Sequence, residues 1–292
     1  MQRLFFKEKY ARFERETPFD FSKRSTIGCG GKSPIAFYPR TVDELVTVVN
    51  YLQSDEIPFL TVGNLSNVLP SEGDIPRVIV STRKMRYEEN GKGFFSAGIR
   101  SSTLLDICQK QRLSGAEFLQ GIPCTLGGAL YMNAGVSGRY IGEIVQSVTV
   151  LKDGEVRTLS ILECGYSYKH SVFTDGKSVI LGAQLALVEA DSDSIQKERM
   201  AYQSRRAHLP KGKSMGCVFK NPEGKIAGKL IESAGLKGLR IGKAVVSETH
   251  ANFIINEGNA TASDIRTLIE TIKKSVFARY KIRLEEEIIY LS

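Results

Sequence analysis

Cys217 stands in the stretch "MGCVFKNP", residues 215–222, between a glycine and two apolar residues, with Lys220, Asn221 and Pro222 just beyond. A thiol set near a cation and an amide is a candidate for proton transfer or nucleophilic attack. Strand-like alternation gives the competing reading, in which Cys217 and Phe219 are buried together on one face as packing. A second reactive group lies in "LEEEII", where an alternating strand points Glu285 and Glu287 to one face and Glu286 to the other. The apolar flanks turn at least one carboxylate inward, where burial raises its pKa towards that of a usable acid; the alternative is a solvated edge strand. A third, "YSYKHS" at 166–171, sets Lys169 and His170 among aromatics, with surface residues at a strand end as the plain alternative.

The glycine-rich segments decide what else could be bound. "STIGCGGKS", residues 25–33, looks like a phosphate loop, but the position five residues before Gly31, where a Walker A loop needs glycine, is Thr26. The G-x-G-x-x-G fingerprint between a strand and a helix is also missing, so no Rossmann dinucleotide domain is indicated. Any redox cofactor must be held another way. Two loops offer one: "TVGNLSN" at 61–67 directly follows an apolar run and could present backbone N–H groups to a pyrophosphate, and "QGIPCTLGGALYMNAG" at 120–135 combines repeated glycines with Pro123. An ordinary turn and a loop packed on its own backbone are the respective alternatives.

The elements that must position these residues read as mixed α and β. "TVDELVTVVNYLQ" opens with Thr41 and Glu44 at capping-box spacing and carries Leu45, Val48, Val49 and Leu52 at helical spacing. "IPFLTV" and "RVIVST" read as strands, "STLLDICQKQRL" as a second helix, and "SVTVLKDGEVRTL" as a hairpin turning at Asp153-Gly154. "VILGAQLALVEA" is a further strand. The polar stretch after it marks a composition shift, and a domain boundary is expected near residues 190–200. Beyond it, "ASDIRTLIETIKKSVFARY" is an amphipathic helix with Ile265, Leu268, Ile269, Ile272, Val276 and Phe277 on one stripe.

At 292 residues the chain exceeds one ordinary domain, and its formal charge of +8 suggests an anionic partner. The cations are interspersed with Asp and Glu, which favours a local anionic site over a nucleic-acid track. Five scattered cysteines without C-x-x-C spacing indicate neither a disulfide framework nor a zinc site, and hence a reducing compartment. The first residues lack the apolar core of a signal peptide, and no run approaches a membrane span, so a cytoplasmic location without membrane insertion is expected.

Taken together and in order, "TIGCGG", "TVDELV", "GNLSN", "GAEFLQGIPCTLGGALYMNAG", "GYSYKHS", "GCVFKNP", "AGKLIESAGLKGLRIG", "VSETHANFIIN" and "LEEEI" resemble the UDP-N-acetylenolpyruvoylglucosamine reductase (MurB) family, in its shorter, type II form. The resemblance implies an α+β chain: an arm at 1–15, a two-subdomain FAD-binding fold of the vanillyl-alcohol-oxidase/PCMH type over 16–190 (about 16–83 and 84–190), and an α+β substrate domain over 200–292. It implies FAD as bound cofactor, NADPH as co-substrate and a UDP-sugar as substrate, acted on by a monomer that binds no nucleic acid. Residue by residue, it assigns catalysis to Lys169, Cys217 and Glu287. FAD contacts fall to Gly63, Asn64, Ser66, Asn67, Gly121, Ile122, Pro123, Thr125, Gly127, Gly128, Asn133 and Gly135, and substrate contacts to Lys220 and Asn221. This chain departs from the family pattern where Cys217 stands in place of a more usual serine, Lys169 in place of arginine, and "GNLSN" in place of a more glycine-rich loop. Two other functions compete: a flavin oxidase of the same fold, which needs the loops but not Cys217 and Glu287, and a basic RNA-binding protein, which lacks an aromatic-interleaved basic motif.

Overall fold

The computed structural model describes residues 8–86 and 93–292, and the chain divides into two compact units. The first comprises residues up to Thr17, Pro34–Asn64 and Arg77–Ala207. It has two cores. One lies under strands β1 (Ala36–Phe37), β2 (Phe59–Val62) and β3 (Val78–Ser81), with β3 parallel to both of the others, and is covered by helix α1 (Val42–Ser54). Helix α1 starts where expected because the Thr41 hydroxyl accepts from Glu44 N–H (3.0 Å); the Glu44 carboxylate, however, accepts from Arg40 N–H (2.7 Å) rather than closing the box on Thr41. Leu45, Val48, Val49 and Leu52 are fully buried, as the spacing predicts. Residues 1–7 of the expected N-terminal arm lie outside the described residues, and the rest of it is no separate arm. Tyr10 and Phe13 are buried in this core, Tyr10 stacks on Phe37 at 5.4 Å, and its hydroxyl donates to Asp55 (2.8 Å).

The second core of this unit lies on an antiparallel sheet of β4 (Phe94–Ser96), β5 (Val145–Lys152), β6 (Glu155–Ser160) and β7 (Val179–Leu185), in the order β6-β5-β7-β4. Asp153 (φ +52°) and Gly154 (φ +79°) form the two-residue turn between β5 and β6, both in the left-handed region such a hairpin requires. Helices α2 (Ser101–Lys110), α3 (Leu126–Met132) and α4 (Ser192–Arg206) complete it. Helix α4 occupies the polar stretch expected to be a boundary. Only Ile195 and Tyr202 anchor it apolarly, which is why its sequence lacks a clear stripe.

The second unit is not contiguous. Besides His208–Ser292 it contains Pro18–Ser33 and Leu65–Pro76, so the chain parts at residues 207/208, not 190–200, and two earlier segments cross the expected partition. The reason is packing: Ile27, Cys29 and Leu69 are buried in its core with Val218, Phe219 and the apolar face of the long helix. Its elements are α5 (Ala227–Ser233), the antiparallel strands β8 (Arg240–Ile241), β9 (Ala244–Val246) and β10 (Ile254–Asn256), α6 (Ala262–Tyr280), and β11 (Ile289–Leu291), which pairs in parallel with Val68–Pro70. On α6 the expected stripe is buried through Val276, but Phe277 is 40% exposed; its ring instead meets the Arg283 guanidinium at 5.4 Å. The segment that mimics a phosphate loop is structural. Gly31 N–H donates to Ser71 C=O (2.7 Å), a Cβ there would overlap Gly73 O, and Asn256 Nδ2 donates to Ile27 C=O (2.9 Å). Among the described residues no helix is long and apolar enough to cross a membrane.

Candidate active site

In the first unit, strand β2 delivers Gly63 and Asn64 beside the glycine tract. A Cβ on Gly63 would overlap Thr125 Oγ1, so close approach of the two loops demands glycine. Asn64 Nδ2 donates to Pro123 C=O (2.7 Å) and binds the loops together. Ser101 holds the tract from below, its hydroxyl donating to Ile122 C=O and its N–H to Cys124 C=O (3.1 Å). Thr125 caps α3, yet the first N–H groups of that helix are taken internally, Leu126 by Ile99 C=O (2.8 Å) and Gly127 by Ala97 C=O (2.7 Å). The Thr125 hydroxyl accepts from Gly128 N–H (3.4 Å). Gly127 sits so close to Ala97 that a Cβ would be 3.0 Å from its methyl.

Two further residues of the tract position their neighbours. Asn133, left-handed at the end of α3 (φ +46°), is buried; its Nδ2 donates to Ser167 C=O (2.8 Å) and its Oδ1 accepts from Gly142 N–H (3.0 Å). Gly135 opens a tight hairpin, and a Cβ there would overlap Arg139 O. The bond from Asn133 reaches the turn that bears Lys169. There Ser167 and His170 exchange backbone hydrogen bonds (3.1 and 3.2 Å), and Lys169 sits half-buried at the tip with φ +55°.

Two buried hydroxyls went unnoticed in the sequence. Thr61 Oγ1 and Ser81 Oγ lie near the carboxyl ends of β2 and β3 and bond to no described residue. The carboxyl ends of parallel strands are where open α/β sheets take nucleotides, and orphaned hydroxyls beside glycine-flattened loops fit a flat, polar dinucleotide. No single letter marks such atoms, because their lack of a partner arises only when β2 pairs with β3.

In the second unit Cys217 and Glu287 lie on neighbouring strand segments. Cys217 bridges to Phe253 on one side, while Glu287 N–H donates to Val218 C=O (2.8 Å) on the other. The alternation expected to bury Cys217 with Phe219 does not hold: Val218 and Phe219 are both buried and Cys217 only half so. The cause is Asn252, whose carboxamide accepts from Phe219 N–H (2.9 Å) and donates to Phe219 C=O (2.8 Å), replacing a regular ladder. Gly216 (φ +77°) sets the entry to the segment. By contrast, Cys29, Cys108 and Cys164 are fully enclosed, and burial pushes their thiols up to about 11, 12 and 11.

The three glutamates separate. Glu285 is exposed, 3.8 Å from Lys220 Nζ; Glu286 accepts from Lys273 Nζ (2.8 Å); Glu287 is half-buried. Asn67 braces Glu287, its Nδ2 donating to Glu287 C=O (3.0 Å) and its C=O accepting from Ile289 N–H (3.0 Å). Ser66, its neighbour, is half-buried. Asn221 Oδ1 accepts from Ala227 N–H (3.0 Å), which fixes the first turn of α5.

A family model described as "FAD binding domain" matches residues 34–160, and one described as "UDP-N-acetylenolpyruvoylglucosamine reductase, C-terminal domain" matches residues 207–291. The UDP-N-acetylenolpyruvoylglucosamine reductase of Syntrophus aciditrophicus is 37% identical over 283 residues, 94% of this chain and 90% of that one. The chain belongs to the UDP-N-acetylenolpyruvoylglucosamine reductase family. Its namesake from Caldanaerobacter subterraneus subsp. tengcongensis is 38% identical over 91% of this chain and 90% of its own. The crystal structure of the reductase from Thermus caldophilus matches with a TM-score of 0.83 and 31% identity, covering 96% of this chain and 99% of that one. As in that reductase family, the chain has an FAD-binding fold of α+β class followed by the family's C-terminal domain, whose match begins where the compact units part.

Proposed function

We propose that the chain is the FAD-dependent reductase that converts UDP-N-acetylglucosamine enolpyruvate to UDP-N-acetylmuramate in peptidoglycan precursor synthesis, with NADPH as electron source. One observation carries the reading: a single chain joins an FAD binding domain to this reductase family's C-terminal domain, in which Cys217 and Glu287 lie on neighbouring strand segments. Thr61, Ser81 and the loops 63–67 and 121–135 would hold FAD. Held there, FAD would supply hydride chemistry to the terminal vinyl carbon of the substrate, with NADPH as the source of electrons.

The protein's own groups handle the charge and the proton. Negative charge develops on the carbon next to the substrate carboxylate, and fixed opposite charge or a shared proton is the largest stabilising contribution such a site can make. Lys169 offers the ammonium and Glu287 the shared proton. Cys217 then gives its Sγ proton to that carbon: the S–H bond breaks, a C–H bond forms, and solvent reprotonates the thiolate. Lys220 and Asn221 hold the nucleotide sugar. Ser66, next to Asn67, would contribute to the FAD loop. The enzyme works in the cytoplasm as a monomer on small molecules, without nucleic acid.

Anaerobic reduction by NADPH followed by addition of the enolpyruvyl nucleotide tests the reading. Flavin absorbance should bleach with NADPH and return only on the second addition; bleaching of the oxidised flavin by an unrelated alcohol, with return on admitting oxygen, would instead make the chain an oxidase of the same fold. Lys169→Met should slow that return by about tenfold or more while bleaching by NADPH keeps its rate, because one charge is removed from a site of developing charge. Lys169→Arg should restore much of it, since the guanidinium keeps the charge and adds the bidentate fork. A normal rate in Lys169→Met with a collapsed rate in His170→Ala would move the role to His170.

A further inference from the structure

Helix α4 touches the glycine tract through three side chains spaced along one face. Arg199 Nε donates to Gln120 Oε1 (3.0 Å), and Gln120 Nε2 donates to Gln203 Oε1 (3.1 Å), so both ends of that carboxamide are held by residues one turn apart. One turn further on, Arg206 lies over Gly121, where a Cβ would be 3.1 Å from Nε and 3.2 Å from Cδ. Gly121 has φ +75°, a conformation only glycine adopts without strain. Arg199 is itself anchored. Its Nη1 donates to Gln109 Oε1 (2.5 Å) and Leu105 C=O (3.5 Å), its Nη2 pairs with Asp106 (2.8 Å), and its side chain is only 14% exposed.

We propose that Arg199 is a positioning residue for the flavin, holding the Gln120–Pro123 segment through Gln120 with Gln203 as the second jaw. The inference rests on the proposed FAD site and goes beyond it, because none of these three α4 side chains is among the residues assigned to FAD. A guanidinium with acceptors on α2 and on Gln120 fixes both the height and the rotation of the loop, which an apolar contact would leave free to slide. Lysine cannot replace it, since one ammonium on a flexible stem cannot hold Gln109 and Gln120 in the fixed geometry of the fork.

The test is FAD retention by the full-length chain. The FAD-loaded protein is diluted, free flavin is read by its fluorescence, and the visible circular dichroism of the bound flavin is recorded. Arg199→Ala and Gln120→Ala should each release FAD about tenfold more readily and alter the flavin dichroism, the loss expected from one charge-assisted hydrogen bond. Arg199→Lys should recover little. Asp106→Ala is the control for mere helix docking: it removes the exposed ion pair and leaves the Gln120 grip, so retention should stay within twofold. Gln120→Ala alters a loop side chain outside both cores, which keeps the test valid if Arg199→Ala folds poorly. Wild-type retention and dichroism in both Gln120→Ala and Arg199→Ala would overturn the clamp, as would equal losses in Asp106→Ala and Gln120→Ala. A wild-type chain that retains no FAD would overturn the cofactor reading and the clamp with it.

Discussion

Cys217→Ala is expected to leave bleaching of the flavin by NADPH at its full rate and to slow turnover on the enolpyruvyl nucleotide by 10²- to 10⁴-fold, the range a positioned general acid contributes. The structure sharpens the expectation, because Cys217 is half-buried next to the Glu287 strand while Cys29, Cys108 and Cys164 are fully enclosed. Truncation to alanine removes a proton and little packing, so Tm should fall by no more than a few degrees. Cys217→Ser should keep substantial activity, since a hydroxyl at the same place still carries a proton, though a less acidic one. Stopped-flow reoxidation of prereduced protein is the measurement; an alanine variant as fast as its parent would return Cys217 to packing.

Glu287→Gln should bind FAD and nucleotide but lose the second half-reaction by 10²-fold or more, because the amide copies the shape without the exchangeable proton. Its neighbours supply the controls. Glu285 has a side chain 79% exposed, and Glu285→Gln should leave both half-reactions unchanged. Glu286 accepts from Lys273 and is hydrogen-bonded to Tyr290; it is the main cause of the raised Lys273 pKa, and it adds to burial in raising that of Tyr290. Glu286→Gln should therefore cost stability, about 1 kcal/mol, and leave turnover intact. Denaturant midpoints and single-turnover rates of the three variants decide the matter. Equal kinetic losses at all three positions would mean that the carboxylates do not have separate tasks.

How far the letters could be read depends on how local the determining physics is. Helix α1, the Asp153-Gly154 hairpin and the buried stripe of α6 follow from spacing within a dozen residues, and each stands where spacing put it. Cys217 and the run of three glutamates could be picked out from their segments, and the resemblance singled out Glu287, but what sets the two segments side by side could not be read. That task falls to Asn252 and Asn67, which act on backbone groups far away in sequence and carry no periodic signal. Helix α4 was read as a boundary because its polar face, which hydropathy treats as solvent, is spent on Gln120 and α2. Phe277 misled in the opposite sense: it lies on the stripe but past the edge of the core.

The pairing of β11 with Val68–Pro70 also governs the order in which the protein can be made. Asn67 meets Glu287 across 220 residues, and Ile27 meets Asn256 across 229. The first unit has all of its chain once Ala207 has emerged from the ribosome, whereas residues 18–33 and 65–76 must wait for segments synthesised much later. Closing loops of that length costs about 5 kcal/mol of chain entropy before any contact repays it. Folding of the second unit is therefore the slow, late step, and until it occurs Ile27, Cys29 and Leu69 present apolar surface to chaperones or to other nascent chains. For the same reason residues 208–292 are not a transplantable cassette: cut out as one piece, they leave behind part of their own core.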